Sequence, residues 1–418
     1  MSGVANATPG ETIARPRLWV VSELYYPEQT STGYFLTGIA EGLADSFDVR
    51  AVCGQPTYSS AGTVAPRREK RHGVAIFRMR GMRFPKDRLV LRLFNLLTLT
   101  LATFFFLLRH VRSGDRILAV TNPPSMPPLL ALVIKLRRAR GVLLVHDVYP
   151  EVLVATRMLL RQSLVVRVTG RVMKAAIAAF DHVIVLGEDM AALLLNNRGV
   201  APERMSIIPN WGDTAAIVPA DISVNAIARQ LGAQSKTIIQ YSGNIGRTHD
   251  IELVLEVARR LESRDDILFL FAGEGGKMPL VEAEARKTGS NIVVLPRQPA
   301  ESLPELLSCA TATIIALPPG MTGISVPSRM YNVMAAARPI ISVGDKGSTL
   351  SKTVCDGDAG WYCDADPALL QSQIEEIATA EGHGVAKVKG ANARRLAESR
   401  YTRGAVIGQF LSLMRSIA

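Results

Sequence analysis

Several short stretches of this 418-residue chain combine residue types that suit the binding of a charged group. The first is Gly323-Ile324-Ser325-Val326-Pro327-Ser328-Arg329, which leads into Met330 to Pro339. Pro327 suits the first turn of a helix, where a missing N–H costs nothing. The first N–H groups of a helix lack intrahelical partners, and the helix dipole adds partial positive charge there. A phosphate near Ser325, Ser328 and Arg329 would meet those donors, with Arg329 as a fixed cation. Asn332 adds a neutral amide on the same segment.

Gly243-Asn244-Ile245-Gly246-Arg247-Thr248-His249-Asp250 follows an apolar run and precedes a helical pattern. Two glycines and Arg247 at such a turn suit a diphosphate. Ala272-Gly273-Glu274-Gly275 is a turn of the same kind, and Pro296-Arg297-Gln298 offers backbone to a nucleotide base. His146-Asp147 lies at another strand exit, where a His can act as acid or base near neutral pH. Gly33, in Thr32-Gly33-Tyr34, would let a backbone approach a phosphate closely. Each turn alone is an ordinary feature of α/β proteins. Their common position, after strands, is what points to a nucleotide diphosphate.

The elements that must hold these loops alternate along the chain. Expected strands are Leu18–Ser22, Val49–Cys53, Val74–Met79, Ile117–Val120, Gly141–Val145, His182–Leu186 and Met205–Ile208. Helical patterns cover Tyr34–Asp45, Pro127–Arg138, Leu164–Phe180 and Asp189–Asn197. Asp213–Gln234 is less periodic and reads as a linker. A second series then has strands at Thr237–Ser242, Ile267–Ala272, Ile292–Leu295, Ala312–Leu317 and Pro339–Val343, with helices between them. This alternation predicts an α/β chain of two doubly wound, Rossmann-like domains facing a central cleft. The expected division is a polar tail at 1–17, an N-terminal domain at 18–213, a C-terminal domain at 214–400, and a helix at 401–418 packing back toward the first domain.

Net charge is +11, which calls for an anionic partner. No basic stretch is interleaved with aromatics, so nucleic acid is not expected. Cys53, Cys309, Cys355 and Cys363 form no Cys-x-x-Cys pair, so neither zinc nor a disulfide framework is expected, and a reduced cytosolic setting fits. Met1–Arg17 lacks the apolar core of a signal peptide. Leu93–Leu108 carries no charge and has Arg88, Arg92, Arg109, His110 and Arg112 around it. It is short of the roughly 20 residues that span a bilayer. It reads as a span, a helix buried in the fold, or a helix lying in the membrane interface.

The chain resembles the family 4 glycosyltransferases of the GT-B fold, in particular bacterial enzymes that build surface polysaccharides on lipid carriers. The resemblance rests on Tyr25-Tyr26-Pro27-Glu28, His146-Asp147-Val148-Tyr149-Pro150-Glu151, Leu186-Gly187-Glu188-Asp189-Met190, Ile208-Pro209-Asn210-Trp211, Tyr241-Ser242-Gly243-Asn244, Ala272-Gly273-Glu274-Gly275 and Val326-Pro327-Ser328-Arg329. It implies retaining transfer from a nucleotide-diphosphate sugar, most readily a UDP-sugar, with neither metal nor cofactor. The expected acceptor is a polyprenyl diphosphate-linked saccharide. The expected location is cytoplasmic, at the inner face of the membrane, with segment 88–112 as the associating part. His146 and Asp147 would be the catalytic pair. Gly33, Gly243, Asn244, Gly246, Arg247, Glu274, Arg297, Ser325, Ser328, Arg329 and Asn332 would bind the donor. Many relatives carry two glutamates flanking the donor helix; Ile324 and Asn332 occupy those positions here. Many also place Arg and Lys where Asn244 and His249 stand. A nucleotide-sugar epimerase of like fold and a non-catalytic membrane scaffold are the alternatives.

Overall fold

The computed structural model describes residues 15–57, 64–82, 84 and 89–417. Its strands are β1 Arg17–Val21, β2 Asp48–Cys53, β3 Arg68–Arg71, β4 Val74–Arg78, β5 Arg116–Val120, β6 Arg140–Leu144, β7 His182–Val185, β8 Met205–Ile207, β9 Thr237–Asn244, β10 Ile267–Glu274, β11 Ile292–Leu295, β12 Ala312–Ala316, β13 Ile340–Val343 and β14 Gly360–Cys363. The α-helices are α1 Ser31–Leu43, α2 Leu89–His110, α3 Met126–Arg137, α4 Glu151–Ala155, α5 Leu164–Ala178, α6 Glu188–Arg198, α7 Ala226–Gln230, α8 Ile251–Arg260, α9 Met278–Ala285, α10 Leu303–Ser308, α11 Arg329–Ala335, α12 Thr349–Asp356, α13 Pro367–Ile377, α14 Ala380–Arg400 and α15 Arg403–Ser416. The chain divides into two compact units. Among the described residues, one holds 15–119 and 132–141; the other holds 120–131 and 142–417.

In the first unit, strands run in the order β3-β4-β2-β1-β5. All pairs are parallel except β3 with β4. A parallel sheet is covered on both faces, so its strands read as apolar runs. Leu18 to Val21 are all buried. Trp19 is fully buried, and its indole N–H donates to Asp115 Oδ2 at 2.8 Å, which satisfies its one polar atom. Buried Arg78 pairs with Glu69 on β3 at 2.6 Å. Arg68–Arg71 has no apolar alternation, so β3 carries no strand pattern of its own.

In α2, Leu99, Thr100, Thr103 and Leu107 are buried, and Phe106 packs edge-on against Trp19. Phe94, Leu97, Leu101 and Phe105 lie exposed on another face. The uncharged segment is therefore half core and half surface. No helix among the described residues is long and apolar enough to cross a membrane. Arg88 and Arg92 of its expected basic flank have side chains outside the described residues.

The second unit contains the run β6-β7-β8 and a six-stranded sheet in the order β11-β10-β9-β12-β13-β14, parallel wherever pairing is given. Successive residues of the central strands serve opposite faces. Ile239, Tyr241, Ile267, Phe269 and Phe271 enter one core, which α8 completes with Val254, Leu255, Val257 and Ala258. Ile238, Leu268, Leu270 and Ala272 enter a second core on the other face. The order reverses between β9 and β12. That switch point, beyond the carboxyl ends of the strands, is where open α/β sheets bind ligands.

Candidate active site

The turn after β9 is shaped by glycine. β9 and β10 stay paired through Gly243↔Gly273 and Asn244↔Glu274, two residues past the expected ends at Ser242 and Ala272. Gly243 has φ 110° and Gly273 has φ 149°, values that L side chains rarely adopt. A Cβ on Gly273 would sit 1.9 Å from the Gly243 carbonyl oxygen. The two glycine turns are thus stacked on each other. Gly246 is buried below them, and a Cβ there would meet Asn244 Nδ2 at 2.7 Å. Asn244 and Arg247 are exposed.

Arg329, from the loop after β12, reaches across the switch point to this turn. Its Nη2 donates to the Asn244 carbonyl at 2.8 Å and to His249 Nε2 at 2.9 Å. Its guanidinium carbon lies 4.6 Å from the centre of the Tyr241 ring, a cation–π distance. Nη1 is buried and has no protein partner. A guanidinium fixed by one nitrogen and a ring, with another nitrogen free, is prepared for an anion. His249 must be neutral to accept from Arg329. Burial, then the charges of Arg329 and Lys277, hold its pKa well below the ordinary value. Neutral His249 thereby orients Arg329.

The helix start differs from the sequence expectation. α11 begins at Arg329, not Pro327, and no side chain caps it at Ser328. The Met330 N–H already bonds the Pro327 carbonyl at 3.2 Å. The positive end of a seven-residue helix is therefore a smaller contributor than the Arg329 side chain.

Gly323 has φ 72°, and its N–H donates to Asp189 Oδ2 at 3.0 Å. The same oxygen accepts the Thr349 N–H at 3.0 Å, and the other takes the Thr349 hydroxyl. This anchor was hidden in sequence, where Asp189 read only as a helix-start acid. Beside it, Ser325 bridges Asp147 by backbone, and the Val148 N–H donates to the Ile324 carbonyl at 2.9 Å. His146-Asp147 and Ser325-Arg329 are thereby brought together. His146 is 7% exposed, and burial lowers its pKa to about 4. Asp147 is partly buried, and desolvation raises its carboxyl to about 6. The backbone N–H groups of both donate to Thr121 Oγ1 at 3.3 Å.

Other expected donor residues have prior engagements. Asn332 Oδ1 accepts the Asp213 N–H at 3.1 Å, and Ile324 is buried. Glu274 pairs with Arg297 at 2.5 Å, both on the surface. Gly33 lies in the first turn of α1, where its N–H donates to the Thr30 cap at 3.4 Å; it belongs to the other compact unit.

Two family models match the chain in succession. A family model described as "Glycosyl transferase 4-like domain" matches residues 32–211, and one described as "Glycosyl transferases group 1" matches residues 224–395. The chain is 31% identical over 366 residues to "Probable glycosyltransferase WbjE" of Pseudomonas aeruginosa, covering 86% of this chain and 89% of that one. It is 26% identical to "Putative colanic acid biosynthesis glycosyl transferase WcaI" of Escherichia coli K12, covering 94% and 98%. Among solved structures, sucrose-phosphate synthase from Thermosynechococcus elongatus matches at TM-score 0.72 and 15% identity, covering 96% and 99%. Anabaena HepE in complex with UDP and glucose matches at TM-score 0.71 and 14% identity, covering 96% and 100%. These two likenesses speak to the fold.

Proposed function

The chain belongs to the family 4 glycosyltransferases of the GT-B fold, and we propose that it moves a sugar, with retention of anomeric configuration, from a nucleotide-diphosphate sugar to a lipid diphosphate-linked saccharide in bacterial surface polysaccharide synthesis. The reading rests most on the free Nη1 of Arg329 at the β9–β12 switch point. A leaving diphosphate gains negative charge as the glycosidic bond breaks. A preorganised cation and N–H donors lower that barrier without reorganising solvent. Arg329 and the exposed Arg247 supply the charge, and Gly243 lets the diphosphate approach the backbone. HepE, whose structure contains UDP and glucose, supports UDP as the first nucleotide to try.

His146 and Asp147 border the same loop. A neutral imidazole at physiological pH cannot add positive charge, so His146 acts as a hydrogen-bonding group toward a sugar or acceptor hydroxyl. Among the described residues, no cluster of three or more His, Cys, Asp or Glu could hold a metal ion. We propose that protein cations, rather than a divalent ion, neutralise the diphosphate. Turnover should survive excess EDTA; complete loss restored by Mg²⁺ or Mn²⁺ would overturn that part.

The acceptor side is assigned to the first unit. α2 exposes Phe94, Leu97, Leu101 and Phe105, followed by exposed Arg109 and Arg112. This surface is proposed to lie on the anionic inner leaflet, where such lipids are presented. The decisive experiment is a thermal-shift titration with UDP, GDP and ADP, followed by transfer assays with the matching labelled sugars. At 100-fold over its dissociation constant, a ligand specific to the fold adds about 2.7 kcal/mol. Stabilisation by one nucleotide and sugar transfer to a lipid-linked acceptor are expected. Binding without turnover would favour a scaffold, and sugar interconversion without acceptor would favour an epimerase.

A further inference from the structure

Residues 317–328 join β12 to α11 and end at Arg329. Met321, Ile324 and Val326 are buried, so the segment packs down on its own unit. Apolar burial has no direction and does not fix where a chain sits along its own length. Directional hydrogen bonds do that. Asp189 supplies one from the start of α6, at Gly323. A second carboxylate, Asp345 in the loop after β13, supplies two more. Its Oδ2 accepts the Gly320 N–H at 3.0 Å and the Thr322 hydroxyl at 2.7 Å.

Asp345 is itself held from behind. β12 and β13 leave the sheet side by side, with Ala316 paired to Val343 and the Leu317 N–H on the Val343 carbonyl at 2.9 Å. A Cβ on Gly344 would meet the Leu317 carbonyl oxygen at 2.8 Å, so the two exits touch. The Asp345 carbonyl accepts the Ser348 N–H at 3.1 Å and the Ser351 hydroxyl at 3.0 Å. Both serines are buried, and Ser351 also bonds buried Ser342 on β13 at 2.9 Å. The carboxylate is thus mounted on the sheet, and the segment is fastened to it.

Downstream of this clamp the chain passes Ser325, bonded to Asp147, and reaches Arg329 at the β9 turn. On the transferase reading, on which this inference rests, Arg329 holds the diphosphate and His146 with Asp147 faces a sugar hydroxyl. The transferred sugar then lies along residues 325–329, between those two points. A lengthwise slip of the segment can be followed by the long Arg329 side chain. The sugar has no such slack, and a misplacement of about 1 Å costs about a hundredfold in rate. We propose that Asp345 and Thr322 are positioning residues for sugar transfer: they fix residues 320–329 lengthwise, and so set where the sugar meets His146 and Asp147, without touching the donor.

The test uses the full chain, the nucleotide selected by thermal titration and its labelled sugar. Asp345→Ala should lower kcat by about a hundredfold and Thr322→Val by about tenfold, with nucleotide affinity in calorimetry within about twofold of wild type. Discrimination between the cognate sugar and its epimer at one hydroxyl, read as a ratio of kcat/KM, should fall in both. Asp345→Asn keeps an acceptor oxygen and Thr322→Ser keeps the hydroxyl, so both should recover most of kcat and of the discrimination. Calorimetry also counts folded sites, so kcat is taken per nucleotide-binding site. A variant that only folds poorly then shows the wild-type value. Wild-type kcat per site and unchanged discrimination in Asp345→Ala and Thr322→Val overturn the proposal. So does a nucleotide affinity that falls in step with kcat, which would put the clamp in the diphosphate site. Asp345→Asn as slow as Asp345→Ala overturns it in favour of a role for the negative charge. Should Asp345→Ala yield no folded protein, Thr322→Val beside Thr322→Ser decides by the same criteria. A wild-type chain that transfers no sugar from any nucleotide donor refutes the transferase reading and the proposal together; wild-type turnover with indifferent variants refutes the proposal alone.

Discussion

Two strand exits of the second unit use opposite physics. After β9, glycines at positive φ open the backbone, Asn244 and Arg247 are exposed, and Arg329 keeps a free donor. After β6, burial pushes both ionisable groups toward their neutral forms: His146 down to about 4 and Asp147 up to about 6. The first exit stores positive charge for an anion. The second removes charge and leaves hydrogen-bonding groups in a low-dielectric wall, which suits hydroxyls better than phosphates. The transferase reading proposed above would use both, and the segment that carries Arg329 is bonded to Asp147 through Ser325.

The largest effect that would break this contrast is in acid stability. The folded state disfavours protonated His146, so its contribution to stability falls as pH drops from about 6.5 to about 4, by about 3 kcal/mol in all. Asp147 has the opposite sign. Its folded carboxyl favours the proton, so acidification from about 6 to about 3.8 adds about 3 kcal/mol. The two offset each other in the native chain. His146→Asn should therefore become more stable than wild type, relative to its own value at pH 7, as pH falls to 4. Asp147→Asn should do the reverse. Urea unfolding at a series of pH values measures both. Parallel pH curves for wild type and the two variants would mean that the second exit is wet and charged.

Next in size is Arg329→Ala, which should weaken nucleotide diphosphate binding by about 2 kcal/mol, the worth of a charge-assisted hydrogen bond. Calorimetry with UDP, or with whichever nucleotide the thermal screen selects, gives the number. Unchanged affinity would mean that the first exit stores its charge for some other purpose.

Asn332→Ala sharpens the comparison from the structural side. Its Oδ1 holds the Asp213 N–H, so the variant should lose about 1 kcal/mol of stability and little nucleotide affinity. A large affinity loss at constant stability would restore it as a donor ligand. Smallest is Arg247→Ala, about 0.5 kcal/mol of binding, because an exposed cation is screened by water and salt. If it matches Arg329→Ala, the turn closes over the ligand and desolvates Arg247.

The sequence was most informative where local pattern and burial agree. β11 and β13 fall on Ile292–Leu295 and within one residue of Pro339–Val343, since short apolar runs between turn signals leave little choice. β14 at Gly360–Cys363 was missed because it starts with glycine and is only partly apolar. β9 and β10 ran longer than read, because Gly243 and Gly273 look like turn residues until they are seen pairing with each other. Arg329 and Arg247 could be picked out by type and position. Which of them is held in place could not, because His249 and Asn244 lie about 80 residues away in sequence from Arg329. Asn332 read as a ligand because its partner, Asp213, is 119 residues away.

The Asp189 carboxylate bears on how this chain can be recombined. It lies in the stretch 32–211 that matches one domain family, while Gly323 and Thr349, which it holds, lie in the stretch 224–395 that matches the other. The segment 224–395 is consequently not a portable cassette. A chimera that joins it to a foreign N-terminal half will inherit every glycine and arginine of the loops proposed to bind the donor. It will still leave two backbone donors without their acceptor unless the incoming half carries a carboxylate at the position of Asp189.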